Sequence, residues 1–236
     1  MAENKTTQVV IEELNPALEK AKGFWAKYNK TIIVAGLAVI LLGGGWLAYK
    51  NLYKMPNEEK AADMIFQAEK LFGKMTQSGF NKDSINLVLN GDKGGFAGVL
   101  NVISKFEGTA AGNRAHYIAG ACYLHGKDFN NAVKHLKDFN TNATQVQTVA
   151  YLMLGDAFAE LNKKDEAMDY YKKAAAVNTN DEFMTSEALY KSASYAEATG
   201  KTQDAISLYQ KVKDEYPKSV RVNDIDKSLA RLGVVK

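Results

Sequence analysis

Residues 148–181 read TVAYLMLGDAFAELNKKDEAMDYYKKAAAVNTND, and their spacing decides the fold. Counting Thr148 as position 1, large residues fall at 4 (Tyr151), 7 (Leu154), 11 (Phe158) and 24 (Tyr171). Small ones fall at 8 (Gly155), 20 (Ala167) and 27 (Ala174). Apolar residues at three- and four-residue steps mark a pair of amphipathic helices. Small residues at 8, 20 and 27 let the two helices touch, while the large ones fill the gaps. Two neighbours share the frame. Residues 113–146 place Gly120 at 8, Tyr123 at 11, Ala132 at 20, Leu136 at 24 and Phe139 at 27. Residues 186–219 place Leu189 at 4, Ala193 at 8, Ala205 at 20, Tyr209 at 24 and Pro217 at 32, with Ser192 at 7 where a large residue is expected.

This pattern resembles the tetratricopeptide repeat, a 34-residue helix–turn–helix unit that stacks into an α-solenoid. The expected fold is therefore all-α. A degenerate unit precedes the three clear ones. Its first helix is expected over 58–76, with Ala62, Ile65, Phe66, Ala68, Leu71 and Phe72 as the apolar side. Its second half lies at 95–109, where Val99, Val102 and Phe106 parallel Tyr209, Val212 and Tyr216. Between them 78–94 reads as an insertion with turn chemistry at Asn90-Gly91-Asp92 and Gly94-Gly95. Val222, Ile225, Leu229 and Leu232 predict an amphipathic helix that caps the solenoid at 220–236. The solenoid thus runs 58–219, with units at 58–109, 113–146, 148–181 and 186–219.

Upstream lies a different element. Thr31 to Tyr49 are nineteen residues without a charge, rich in Ile, Val, Leu, Ala and Gly. A helix of that length spans about 28 Å, close to the hydrocarbon thickness of a bilayer. Trp25 and Tyr28 precede it, and Trp46 and Tyr49 close it, an interfacial belt at both ends. A cleaved signal peptide has a shorter leader and a shorter apolar core. Residues 31–49 therefore read as an uncleaved transmembrane signal anchor, followed by a linker at 50–57. Four lysines (Lys20, Lys22, Lys27, Lys30) precede the span and three (Lys50, Lys54, Lys60) follow it within fifteen residues. By one charge this favours a cytoplasmic N-terminus and an exported C-terminal domain. In the 1–30 tail, Ile11, Leu14, Leu18, Ala21, Trp25 and Tyr28 share a helical face, and Asn15-Pro16 supplies an N-cap and a first-turn proline. Such a helix either lies on the membrane or a partner, or simply extends the span. Gly44 and Ala48, four apart, form a candidate small-residue contact for a second membrane helix.

Composition narrows the function. The 236 residues are 46% hydrophobic and 24% charged, with a net charge of only +3. Residues 1–30 carry five Lys against four Glu, and the remainder 25 basic against 23 acidic residues, so no concentrated basic face points to nucleic acid. Only Arg114, Arg221 and Arg231 are arginine among thirty basic residues, which reads as codon bias. The single Cys122 excludes an intramolecular disulfide framework. Gly200-Lys201-Thr202 imitates a phosphate-binding loop, but the required earlier glycine is Tyr195. His116, Cys122 and His125 invite a metal reading; packing residues of a repeat helix are the expectation instead. No catalytic set has a supporting context, so neither an enzyme, nor a cofactor, nor a small-molecule substrate is expected.

In tetratricopeptide arrays the first helix of each unit lines a concave groove, chiefly through positions 2, 5, 9, 12 and 13. Carried over, the resemblance nominates Arg114, Tyr117, Ala121, Leu124 and His125 in the first clear unit. It nominates Val149, Leu152, Asp156, Ala159 and Glu160 in the second, and Glu187, Tyr190, Ser194, Glu197 and Ala198 in the third. Tyr117 and Ala121, then Leu152 and Asp156, stand where a carboxylate clamp presents Lys and Asn, so such a clamp is not expected. Extended or partly folded polypeptide suits an apolar floor with mixed charged walls better. The alternatives are that these residues only pack neighbouring helices, or that a terminal helix fills the groove. The whole layout is similar to the YfgM-like family, single-pass tetratricopeptide proteins that accompany the SecYEG translocon. That resemblance implies an accessory translocon subunit of the bacterial inner membrane with a periplasmic repeat domain. It would hold or hand on exported clients, beside a membrane-anchored prolyl-isomerase chaperone. A structural scaffold of an envelope or secretion assembly is the other reading.

Overall fold

A computed structural model describes the backbone of residues 3–234 and the side chains from Leu18 to Val234. Helix accounts for every element among the described residues except an isolated bridge between Gly91 and Ala97. The chain divides into two compact units, 1–56 and 57–236.

The first unit is dominated by α1, Glu3–Tyr49, followed by a π-helical turn, Lys50–Lys54. An 18-residue window within it has a mean hydropathy of 2.2 and no burial, so by length and composition it is able to cross a membrane. The backbone is helical straight through Asn15-Pro16, so the expected N-cap there does not begin a helix. The apolar periodicity already starts at Ile11, ahead of the proline, and the backbone follows it. The side chains of Ile11 and Leu14 lie outside the described residues; Leu18, Trp25 and Tyr28 are exposed. Segment 50–57 is helical as well, where the sequence suggests a linker. Aromatics cluster at both ends of the apolar stretch. Phe24 and Tyr28 rings lie 5.0 Å apart, Tyr49 stacks on Tyr53 at 5.5 Å, and Lys50 Nζ sits 5.3 Å from the Trp46 ring.

The second unit begins with α2 (Met55–Ser78), α3 (Lys82–Asn90) and α4 (Val99–Phe106). Helix α3 fills most of the expected insertion. The Asn81 side chain caps it by accepting from Ser84 N at 2.8 Å, and Ile85, Val88 and Leu89 give it a buried face. Helix α2 is rotated from the expected register: Ala61, Ile65, Ala68 and Met75 are buried, whereas Ala62 is exposed and Phe66 is 63% exposed. Its partner face is set by α4 and the next unit, which join it in one cluster around Val99, Val102 and Ile118.

Three helix pairs follow: α5 (Ala110–His125) with α6 (Phe129–Asp138), α7 (Thr144–Glu160) with α8 (Lys164–Ala176), and α9 (Glu182–Ala198) with α10 (Thr202–Glu215). Each helix packs on the next, and α5 also meets α7 while α7 meets α9, the adjacency of an α-solenoid. Helix α11 (Val222–Arg231) closes the stack with Ile225 and Leu229 buried. The turns within the pairs repeat. Lys127 (φ 62°), Asn162 (φ 57°) and Gly200 (φ 78°) take the left-handed position. The residue after each donates to a carbonyl five back: Asp128 to Tyr123, Lys163 to Phe158 and Lys201 to Ala196, at 2.8–2.9 Å. Gly200-Lys201-Thr202 is thus the turn that ends α9 and opens α10.

Within each pair the approach is limited by the residue at position 8. A Cβ added at Gly155 would lie 2.4 Å from Tyr171 Cε1, and one at Gly120 would lie 2.5 Å from Leu136 Cγ. Ala193 occupies the third equivalent place, fully buried against the same side of its partner as Ala205. Gly155→Ala and Gly120→Ala should each lower unfolding free energy by about 1–3 kcal/mol through overpacking. Gly73→Ala, in α2 with nothing within 4 Å of the added atom, should raise it by about 0.5–1 kcal/mol. Urea unfolding of the three variants tests this; an unchanged Gly155→Ala protein would mean the pair does not close at that point.

Candidate partner-binding face

Helices α2, α5, α7 and α9 are the first helices of their units, and side chains bridge most of the seams between them. Arg114 Nε donates to Glu69 Oε1 at 2.6 Å, from α5 to α2. Lys191 Nζ donates to Asp156 Oδ2 at 2.6 Å, from α9 to α7. Arg221, just before α11, donates from Nε and Nη2 to both Glu187 oxygens at 2.7 Å, and its guanidinium lies 4.9 Å from the Tyr190 ring centre. Arg231 Nε donates to Glu197 Oε1 at 2.7 Å. In every case the acid stands on the earlier helix and the base on the later one. All three arginines serve these seams, two of them from the capping segment. A planar fork suits a bidentate or stacked place where lysine does not.

Several nominated groove residues are engaged in these bonds. Asp156 also accepts from Tyr171 Oη at 2.7 Å. Burial, and then that carboxylate, push the Tyr171 phenol above its ordinary range. Glu197 accepts from Tyr209 Oη at 2.9 Å, and its bond to Arg231 holds its carboxyl below the usual value. Ser194 bonds Tyr209 Oη at 3.2 Å. Ala121 is only 2% exposed and offers no surface, a departure from its nomination. It sits on a helix that α3, the element the sequence hid, also packs against. His125 stacks on Phe80 at 3.7 Å, also from that region. Leu124, Val149, Leu152, Ala159, Glu187 and Tyr190 are partly exposed; Glu160 and Ala198 are exposed. Tyr117 is half-buried, edge-on to Phe72 at 6.2 Å and 5.1 Å from Phe139.

Beside Arg114 and Tyr117 opens a cavity of about 410 Å³ that sequence reasoning did not find. Phe72, Ile118, Phe139 and Val146 make its apolar wall, and Glu69 and the half-exposed Arg114 (48%) border it. Phe72 was legible as part of an apolar helix face. Phe139 and Val146 come from the α6–α7 region, and no spacing rule brings them to α2.

Of the three metal candidates, Cys122 and His116 are buried among the helices and His125 is exposed. Cys122 is fully buried, which pushes its thiol up to about 12. His116 is buried 3.2 Å, Nδ1 to Nδ1, from His135, a partner the sequence reading missed. Tyr123 stacks on His135 at 5.5 Å. Among the described residues no three metal-ligating side chains gather. Of the two facing nitrogens one donates and the other accepts, so the pair fits best when both rings are neutral. Burial lowers the affinity of both rings for protons, and the neighbouring His116 lowers His135 further, to about 4. Its folded value lies below the unfolded value, so the unfolded chain binds more protons between them. Stability is complete above pH about 6.5 and is lost as pH falls toward 4, by roughly 2–3 kcal/mol from this ring. Urea titrations at pH 7 and pH 4.5 should show that loss in the wild type and a smaller one in His135→Gln; equal losses would contradict it.

A search of curated proteins finds no match to this chain. A family model described as a tetratricopeptide repeat-like domain matches residues 22–229, beginning ahead of the apolar run and ending within α11. With nearly the whole described length inside that match, and with its small-residue spacing realised in packed helix pairs, the chain belongs to the tetratricopeptide repeat-like family.

Proposed function

We propose that this protein is a single-pass membrane protein whose repeat unit binds extended or partly folded polypeptide as an accessory to a Sec-type translocon. Protein–protein interaction is the general work of repeats of this kind, which are interaction modules rather than catalysts. The observation that carries the finer reading is the face of α2, α5, α7 and α9. Its carboxylates are mostly held in bonds across the seams, which leaves apolar surface at Tyr117, Leu152 and the 410 Å³ cavity for a partner. Extended chains offer alternating apolar side chains to such a surface.

The anchoring half of the reading rests on α1 and on the family match, which takes in the apolar helix together with the repeats. In it the bilayer holds 31–49, the N-terminus is cytoplasmic and 57–236 lies in the periplasm at the bacterial inner membrane. Gly44 and Ala48 lie on exposed helix surface, and a second membrane helix of the translocon or of an anchored chaperone would meet them there. The resemblance to the YfgM-like proteins supplies the translocon as partner and exported chains as clients; neither nucleic acid nor a small-molecule substrate enters. The scaffold reading draws on the same face, since seams already closed by ion pairs suit a single shape-matched partner.

Photocrosslinking in cells from Tyr117, Leu152 and Tyr190, read by mass spectrometry, separates these. Many exported proteins together with translocon subunits are expected. One discrete partner would replace the client reading with the scaffold, and self-crosslinks alone would overturn both.

A further inference from the structure

The cavity between α2, α5 and the α6–α7 connection has a chemical asymmetry. Its wall is aromatic and aliphatic, from Phe72, Tyr117, Ile118, Phe139 and Val146. Among the described residues the Arg114 guanidinium uses only its Nε–H, toward Glu69, although its side chain is 48% exposed. A guanidinium has five N–H donors in a fixed plane, and the edge made by the two Nη groups is matched to a carboxylate. Glu69 holds the guanidinium through Nε, and both residues border the cavity beside its apolar wall. The other two arginines differ. Arg221 gives both Nε and Nη2 to Glu187 and lies over Tyr190, and Arg231 gives Nε to Glu197 and Nη2 to Ser228. Arg114 is thus the arginine of this face whose Nη groups have no protein acceptor among the described residues.

We infer that this cavity is a specificity pocket for an extended partner segment in which a bulky apolar side chain stands next to a carboxylate. The apolar side chain enters between Phe72, Tyr117 and Val146, and the carboxylate meets the Nη edge of Arg114. About 410 Å³ accommodates one aromatic or leucine-sized side chain with room for adjoining backbone. A basic residue in place of the acid would face Arg114 with like charge, so the pocket discriminates by repulsion as well as attraction. The inference rests on the polypeptide-binding reading and names the segment that reading leaves open. It also places recognition at the junction of the degenerate unit with the first regular one, where α2 stands in for a regular first helix.

The test uses the full chain in lipid nanodiscs and fluorescein-labelled Gly/Ser nonapeptides carrying Phe-Asp, Phe-Lys or Ala-Asp at the centre. Fluorescence anisotropy should give the Phe-Asp peptide a Kd at least about ten-fold below the other two. Arg114→Gln, at an exposed site, should abolish the preference of Asp over Lys while the Phe peptides still bind. Val146→Glu, at a 39% exposed position on the cavity wall, should weaken every Phe peptide. Equal binding of Phe-Asp and Phe-Lys, an unchanged preference in Arg114→Gln, or no binding of any peptide up to about 1 mM would overturn the inference. Should the peptides fail while crosslinks from Leu152 and Tyr190 still capture exported chains, the pocket falls and the polypeptide-binding reading stands.

Discussion

The structure depends on how closely the two helices of a unit approach. At Gly155 and Gly120 no Cβ fits, because Tyr171 and Leu136 from the second helix already occupy its place. Ala132, Ala167 and Ala205 on the opposing helices are fully buried. Close approach lets large residues of neighbouring helices meet between units. That is why Leu154, Phe158 and Tyr171 form a cluster with Leu136 of the preceding pair. Stacking follows from pair geometry, and the binding face follows from stacking.

Electrostatics then decides which part of that face stays open. Each ion pair across a seam joins a first helix to the next one or to the capping segment, and removes a carboxylate from the repertoire offered to a partner. Such pairs contribute little individually where they are exposed. Their direction is consistent, with the acid on the earlier helix and the base on the later. Helix α11 supplies the last base described. Only Arg114, on α5, keeps both Nη groups without an acceptor among the described residues, and there the wall beside it is apolar. Recognition and stability are thus separated along one face.

Much of this was legible in the sequence, for a definable reason. Small residues at fixed spacing are a local signal, and they located α5 to α10 along with the close contacts inside each pair. Ile225 and Leu229 announced the closing helix in the same way. What stayed hidden was either short or tertiary. Nine residues of α3, between Asn81 and Gly91, offer too few turns for periodicity to outweigh the surrounding turn signals. The spacing puts Phe66 on the apolar side of α2, yet the burial of Ala61 shows the face turned away from it. The partners of Arg114, Arg221 and Arg231 lie 34 to 45 residues away, and His116 and His135 meet across two helices. No spacing rule reaches such pairs. The scarcity of arginine looked like codon usage, and the placement of all three on the seams gives them a structural role.

Binding falls to the first helices of the units and support to the second. Hydrogen exchange of the full chain in lipid nanodiscs, with and without a permanently unfolded carboxymethylated polypeptide, examines that division directly. Slower exchange is expected in α2, α5, α7 and α9 on adding the polypeptide, with α6, α8 and α10 unchanged. Protection confined to the second helices, or protection nowhere, would contradict it.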